Sequence, residues 1–108
     1  LADIIDTLKG ASGMNTAMLY VSDHGESLGE KGFYLHGAPY WMSPDEQVQV
    51  PMVMWMSDNF AQDYKVDREK LAATAKSKVT HESLYHTVLG LLQVSSTTKA
   101  DRFDLTKR

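Results

Sequence analysis

The run NTAMLYVS at residues 15–22 is apolar and rich in strand-forming side chains, yet polar and apolar positions do not alternate along it. Such a run suits a strand covered on both faces, the usual condition of a parallel sheet between helices. A second apolar run, QVPMVMWM at residues 49–56, predicts another strand. Its Met52, Met54 and Met56 would face one side and Val53 and Trp55 the other, as core filling rather than metal donors. Pro51 suits the first residues of a strand or an edge position. Helical patterns surround both runs. Leu1, Ile4, Ile5 and Leu8 fall on one helix face, closed by Gly10 and Gly13. DREKLAATAKSK predicts an exposed helix capped by Asp67, with Lys76 and Lys78 near its end. THESLYHTVLGLLQV predicts a helix capped by Thr80, with Leu84, Val88, Leu91 and Leu92 as its buried stripe. The tail from Ser95 reads as a polar loop with a frayed end. This order is that of an α/β fold, mostly parallel sheet flanked by helices. Two strands are too few for a stable sheet. Because the chain also opens without methionine and inside a helical pattern, it is expected to be a piece of a longer protein that supplies the remaining strands upstream.

With 108 residues, residues 1–108 form one domain-sized unit. A hydrophobic fraction of 43% and a charged fraction of 23% are those of a globular protein. The net charge of -3 gives no basic field for a phosphate backbone, so no nucleic-acid partner is expected. The absence of cysteine removes disulfides and thiolate metal sites. The longest apolar run, residues 50–56, is too short to span a bilayer, and a soluble chain is expected.

Between the two strands lies a segment broken by Gly25, Gly29, Gly32, Gly37, Pro39 and Pro44. It reads as one long loop with a helical turn at most, and long ordered loops are more often functional than not. Its first residues, Asp23 and His24, stand where ligands gather in open α/β sheets, beyond the carboxyl end of a strand. A carboxylate beside an imidazole offers oxygen and nitrogen donors suited to zinc when two more ligands arrive from elsewhere. The same pair also caps strand ends by bonding to loop backbone. Gly25 lets the backbone pass closely by, and Glu26 and Ser27 add oxygens. His36, twelve residues on, is either a third donor to that cleft or a surface histidine. His81 and His86 are five apart, off a shared helix face, and suit packing or solvent roles rather than ligation.

The stretch MLYVSDHGESLGEKGFYLHGAPYWMSPDEQVQVPMVMW resembles the C-terminal part of the bacterial phosphoethanolamine transferases that modify lipid A, the group that includes the mobile colistin-resistance enzymes. The likeness is dense over SDHGESLGE, YLHG and the PDEQ before VPM, and it continues through HTVLGLL. It implies a partial alkaline phosphatase-like, or sulfatase-like, fold. It implies a zinc ion held by Asp23 and His24 together with a glutamate and a threonine nucleophile from upstream. By the same resemblance His36 lies beside the zinc and handles the phosphoethanolamine group, and Glu26 serves a second metal or the substrate's surroundings. The implied partners are phosphatidylethanolamine as donor and lipid A as acceptor, met by a periplasmic domain anchored in the inner membrane. Thr7 and Thr16 are wrongly placed for the nucleophile, so the isolated chain is expected to be inactive. The alternatives are a phosphoglycerol transferase or sulfatase of the same superfamily, or a non-catalytic piece that self-associates through exposed strand edges.

Overall fold

The computed structural model describes residues 1–107. Helix α1 (Ala2–Lys9) leads into strand β1 (Ala17–Val21), then a two-residue strand pair, β2 (Ser27–Leu28) and β3 (Tyr34–Leu35), separated by a 3-10 turn at Glu30–Gly32. A single helical turn, α2 (Asp45–Val48), precedes strand β4 (Met52–Met56), and helices α3 (Asp58–Asp63), α4 (Arg68–Thr74) and α5 (Glu82–Leu91) follow. A 3-10 turn at Asp101–Phe103 closes the order.

The α/β class holds, but the strand direction does not follow the expectation of a parallel pairing. β1 and β4 pair antiparallel, from Ala17↔Met56 to Val21↔Met52, and β2 pairs antiparallel with β3. The chain between β1 and β4 folds back over one end of the sheet instead of crossing along it, so the second strand returns in the opposite sense. The register puts Ala17, Leu19 and Val21 on the face of Met52, Met54 and Met56. On that face Met56 joins Phe60 and Leu91, with Ala17, Met54, Tyr64 and Leu71 packed around them. Phe60 stacks on Tyr64 with ring centroids 4.2 Å apart. The opposite face is only partly covered, and Tyr20 is exposed.

Local signals account for some of the helix ends. Asp67 caps α4 by accepting the Lys70 N–H at 3.0 Å. Helix α3, in addition to the expected helices, is capped by Ser57, whose Oγ accepts from both Phe60 and Thr16 N–H groups. Gly10 ends α1 in the right-handed region, and Gly13, with φ +74°, makes the left-handed turn expected of the pair.

Three expectations about the C-terminal third are corrected. Thr80 does not cap α5 with its side chain; the helix starts at Glu82 behind His81. Its buried face is Ser83, His86, Thr87 and Leu91, while Val88 and Leu92 stay exposed. The tail from Ser95 is a loop, but its end as far as Lys107 is hydrogen-bonded into the fold rather than frayed, with Arg108 lying outside the described residues. Asp104 and Leu105 are buried against α5, and Thr87 Oγ1 accepts the Leu105 N–H at 3.0 Å. His86 Nδ1 accepts the Ala100 N–H, and Lys99 Nζ lies 2.9 Å from the fully buried Asp104 carboxylate. Small polar side chains on α5 let the tail backbone come close and give its N–H groups acceptors, which a leucine stripe would have withheld. Gly90 belongs to the same fit, since a Cβ there would lie 2.0 Å from Asp104 Oδ2.

Candidate metal and phosphate site

Val21 makes the last rung of the β1–β4 ladder, and the chain leaves the sheet at Ser22. The Ser22 hydroxyl donates to the His24 carbonyl at 2.8 Å, and the His24 N–H donates to Asp23 Oδ1 at 3.0 Å, closing a tight turn. Gly25 then passes against α2. Its N–H donates to the Gln47 carbonyl at 2.9 Å, and a Cβ on it would stand 1.8 Å from the Glu46 carbonyl oxygen. No residue but glycine fits there. Gln47 is buried and donates to Ser27 Oγ at 2.8 Å, with Ser27 itself 1% exposed. Gln47 and Ser27 were not singled out as anchors in the sequence; the PDEQ block was the signal that could have pointed to them.

From Ser27 the short β2–β3 pair turns the chain around, with Glu30 Oε2 accepting the Leu28 N–H at 2.7 Å. Leu35 sits at φ +64°, a left-handed conformation that costs a leucine roughly 1–3 kcal/mol. The next residue is His36, and this turn returns it to the first part of the loop. Its Nδ1 lies 2.9 Å from Glu26 Oε2, and its ring stacks on His24 with centroids 3.9 Å apart. Donor atoms of His24, Glu26 and His36 all fall within 4.8 Å of one another. Three of the four residues singled out in the sequence thus meet, and the fourth adjoins them, with Asp23 Oδ2 3.8 Å from His24 Nε2.

The protonation pattern follows from the partners. His24 Nδ1 lies 2.8 Å from the Gly25 carbonyl, which can only accept, so Nδ1 carries a hydrogen and Nε2 is the nitrogen through which this ring could offer a lone pair to a metal. Backbone N–H groups, that of His24 first and the residue's own second, hold the Asp23 carboxyl below the ordinary carboxylate range. Two ligands of one tetrahedral zinc are about 3.4 Å apart when each bond is near 2.0–2.2 Å. An anionic oxygen and a free imidazole nitrogen at 3.8 Å therefore fit one ion with little adjustment. The site is open to solvent, with Asp23, His24, Glu26 and His36 all exposed. Thr16 lies at the far end of β1 with its hydroxyl on the Leu8 carbonyl, and Thr7 bonds within α1, so neither reaches the site.

Comparison with known proteins adds relatives to this geometry. A family model described as Sulfatase matches residues 1–94. The phosphoethanolamine transferase EptA of Escherichia coli strain K12 is 46% identical over 82 residues, which are 75% of this chain and 15% of that protein. Phosphatidylethanolamine transferase Mcr-2 of Escherichia coli is 40% identical over 104 residues, covering 94% of this chain and 18% of the relative. Among solved structures, the soluble domain of lipooligosaccharide phosphoethanolamine transferase A from Neisseria meningitidis superposes with a TM-score of 0.92 at 40% identity, over 98% of this chain and 32% of the other. The chain spans about 15% of the length of the curated EptA relatives it matches. Among the described residues no helix is long and apolar enough to cross a membrane.

Proposed function

This chain belongs to the sulfatase family, and from that premise we propose that it is the C-terminal part of a zinc-dependent phosphoethanolamine transferase acting on lipid A or a related lipopolysaccharide acceptor. The observation that carries this reading is the His24 imidazole, fixed through Nδ1 with Nε2 3.8 Å from the Asp23 carboxylate, in a chain 46% identical to EptA over 82 residues. Asp23 and His24 would hold the ion, and the rest of the protein would supply the remaining ligands and a threonine nucleophile. Zinc, when bound, lowers the pKa of a coordinated hydroxyl and neutralises charge growing on phosphoryl oxygens.

In the first displacement the threonine oxygen bonds to phosphorus and diacylglycerol leaves phosphatidylethanolamine with the electron pair of the broken P–O bond. In the second, a lipid A phosphate oxygen attacks and the threonine is released. His36, hydrogen-bonded to Glu26 and stacked on His24, would steady the transferred group and give or take a proton at the leaving and attacking oxygens. Glu26 would orient His36 and serve a second cation or the surroundings of the substrate. The protein is proposed to sit in the inner membrane with this domain in the periplasm, a Neisseria relative being described as an integral membrane protein. The isolated chain would be inactive, and the free outer edges of β1 and β4 would let it pair with a second copy.

In the whole protein, His36→Ala is expected to keep most of the zinc and lose about 10²–10⁴-fold in transfer rate, the range for a general acid–base group. Zinc content and transfer from a fluorescent phosphatidylethanolamine, measured on the same preparation, check this. Equal loss of metal and activity would make His36 a primary ligand instead. Turnover of phosphatidylglycerol headgroups in place of phosphatidylethanolamine would move the assignment to a phosphoglycerol transferase, and release of inorganic sulfate from sulfate esters to a sulfatase.

A further inference from the structure

We infer that His81 is a positioning residue for the Asp23–His24 turn, acting through the Ser22 carbonyl. That carbonyl lies just beyond the last rung of the sheet, so no strand partner accounts for it. His81, at the start of α5 and 59 residues downstream, places Nε2 2.7 Å from the oxygen. A carbonyl only accepts, so the imidazole donates through Nε2–H. His81 makes no side-chain cap to its own helix, and among the described residues this bond across the fold is the one its ring makes.

Ser22 passes the constraint on. Its hydroxyl donates to the His24 carbonyl, while at the other end of the turn Gly25 is held by Gln47. The segment bearing the two proposed ligands is therefore pinned at residue 22 from α5 and at residue 25 from α2. Loss of the first pin would leave Asp23 and His24 attached to the sheet but free to change the direction in which they leave it. The effect is local, because an exposed hydrogen bond contributes little to global stability. His81 is not one of the proposed ligands, its ring bonding instead to the Ser22 carbonyl, and no sequence spacing links it to the loop.

This inference rests on the zinc reading, so its test separates the two. Zinc affinity of the whole protein would be measured by competition with a chromophoric chelator, alongside Tm, for wild type, His81→Ala, His81→Gln and Asp23→Ala. His81→Ala is expected to weaken zinc about tenfold, the low end for partners that orient ligands. His81→Gln, whose side-chain amide can donate to the same carbonyl, is expected to recover most of that affinity. Tm should stay within about 2–4 °C of wild type in both His81 variants. Unchanged affinity in His81→Ala, failure of Gln to recover it, or a zinc loss that follows a large drop in Tm would each overturn the positioning role. Sensitivity of Asp23→Ala beside insensitivity of His81→Ala defeats this inference alone; insensitivity of Asp23→Ala defeats the zinc reading and this inference with it.

Discussion

Alanine at Asp23 or at His24 in the whole protein is expected to strip the zinc and to lower phosphoethanolamine transfer by on the order of 10³-fold or more. The magnitude follows from losing a Lewis acid that supplies several kcal/mol of charge stabilisation, at about 1.4 kcal/mol per factor of ten. The two positions are predicted to behave alike because each is proposed to contribute one donor to one ion. Asp23 gives a carboxylate kept ionised by the His24 N–H, and His24 gives an imidazole whose other nitrogen is tied to the Gly25 carbonyl. Both side chains are exposed, so the substitutions should leave the fold intact. Metal analysis, circular dichroism and a lipid A modification assay on each variant check this. A zinc-free variant with normal transfer would break the assignment.

The second large effect is expected from Gly25→Ala, a change that adds one methyl group and removes no chemistry. Its Cβ would lie 1.8 Å from the Glu46 carbonyl oxygen and 3.2 Å from the Gln47 Cα, all backbone, so no side chain can swing aside. Either α2 or the turn must move. Overpacking of this kind costs about 1–3 kcal/mol and sometimes more. A displacement near 1 Å at His24 and Glu26 would also cost about 10²-fold in rate. The expected variant is folded, less stable and nearly inactive. Thermal melting and the transfer assay measure the two effects, and wild-type values in both would mean that Gly25 does not pack against α2 as described.

What could be read from the residues, and what could not, divides along the range of the forces involved. The strand positions, the end of β1 just before Asp23, and the Asp67 cap depend on neighbours within a few residues, and the pattern of side chains carried them. Strand direction depends on the path of a 30-residue connection, and nothing local in NTAMLYVS distinguishes a parallel from an antiparallel partner. The stripe on α5 failed for a related reason. Leu84, Val88 and Leu92 are apolar at helical spacing, but the surface laid over α5 is a polar tail, which selects Ser83, His86 and Thr87. The exposure of Ile4 on α1 and Tyr20 on β1 shows the same limit, since each presents an apolar face with little in this chain to cover it.

At the site, Asp23, His24 and Gly25 were legible because strand end, donor chemistry and glycine are contiguous. The return of His36 was not settled by its spacing. It depends on a two-residue strand pair and a leucine at φ +64°, neither of which has a strong sequence signal. The anchors Gln47 and Ser27 depend on contact between segments 20 residues apart, and His81 on one of 59.

The central claim is that Asp23 and His24 ligate one zinc ion beside His36. Anomalous diffraction at the zinc edge from crystals of the whole protein tests it most directly. The expected result is a peak about 2.0–2.2 Å from both an Asp23 carboxylate oxygen and His24 Nε2, with the His36 ring next to the ion's open side. A peak bonded to other residues, or none at this turn in crystals grown with zinc, would contradict it.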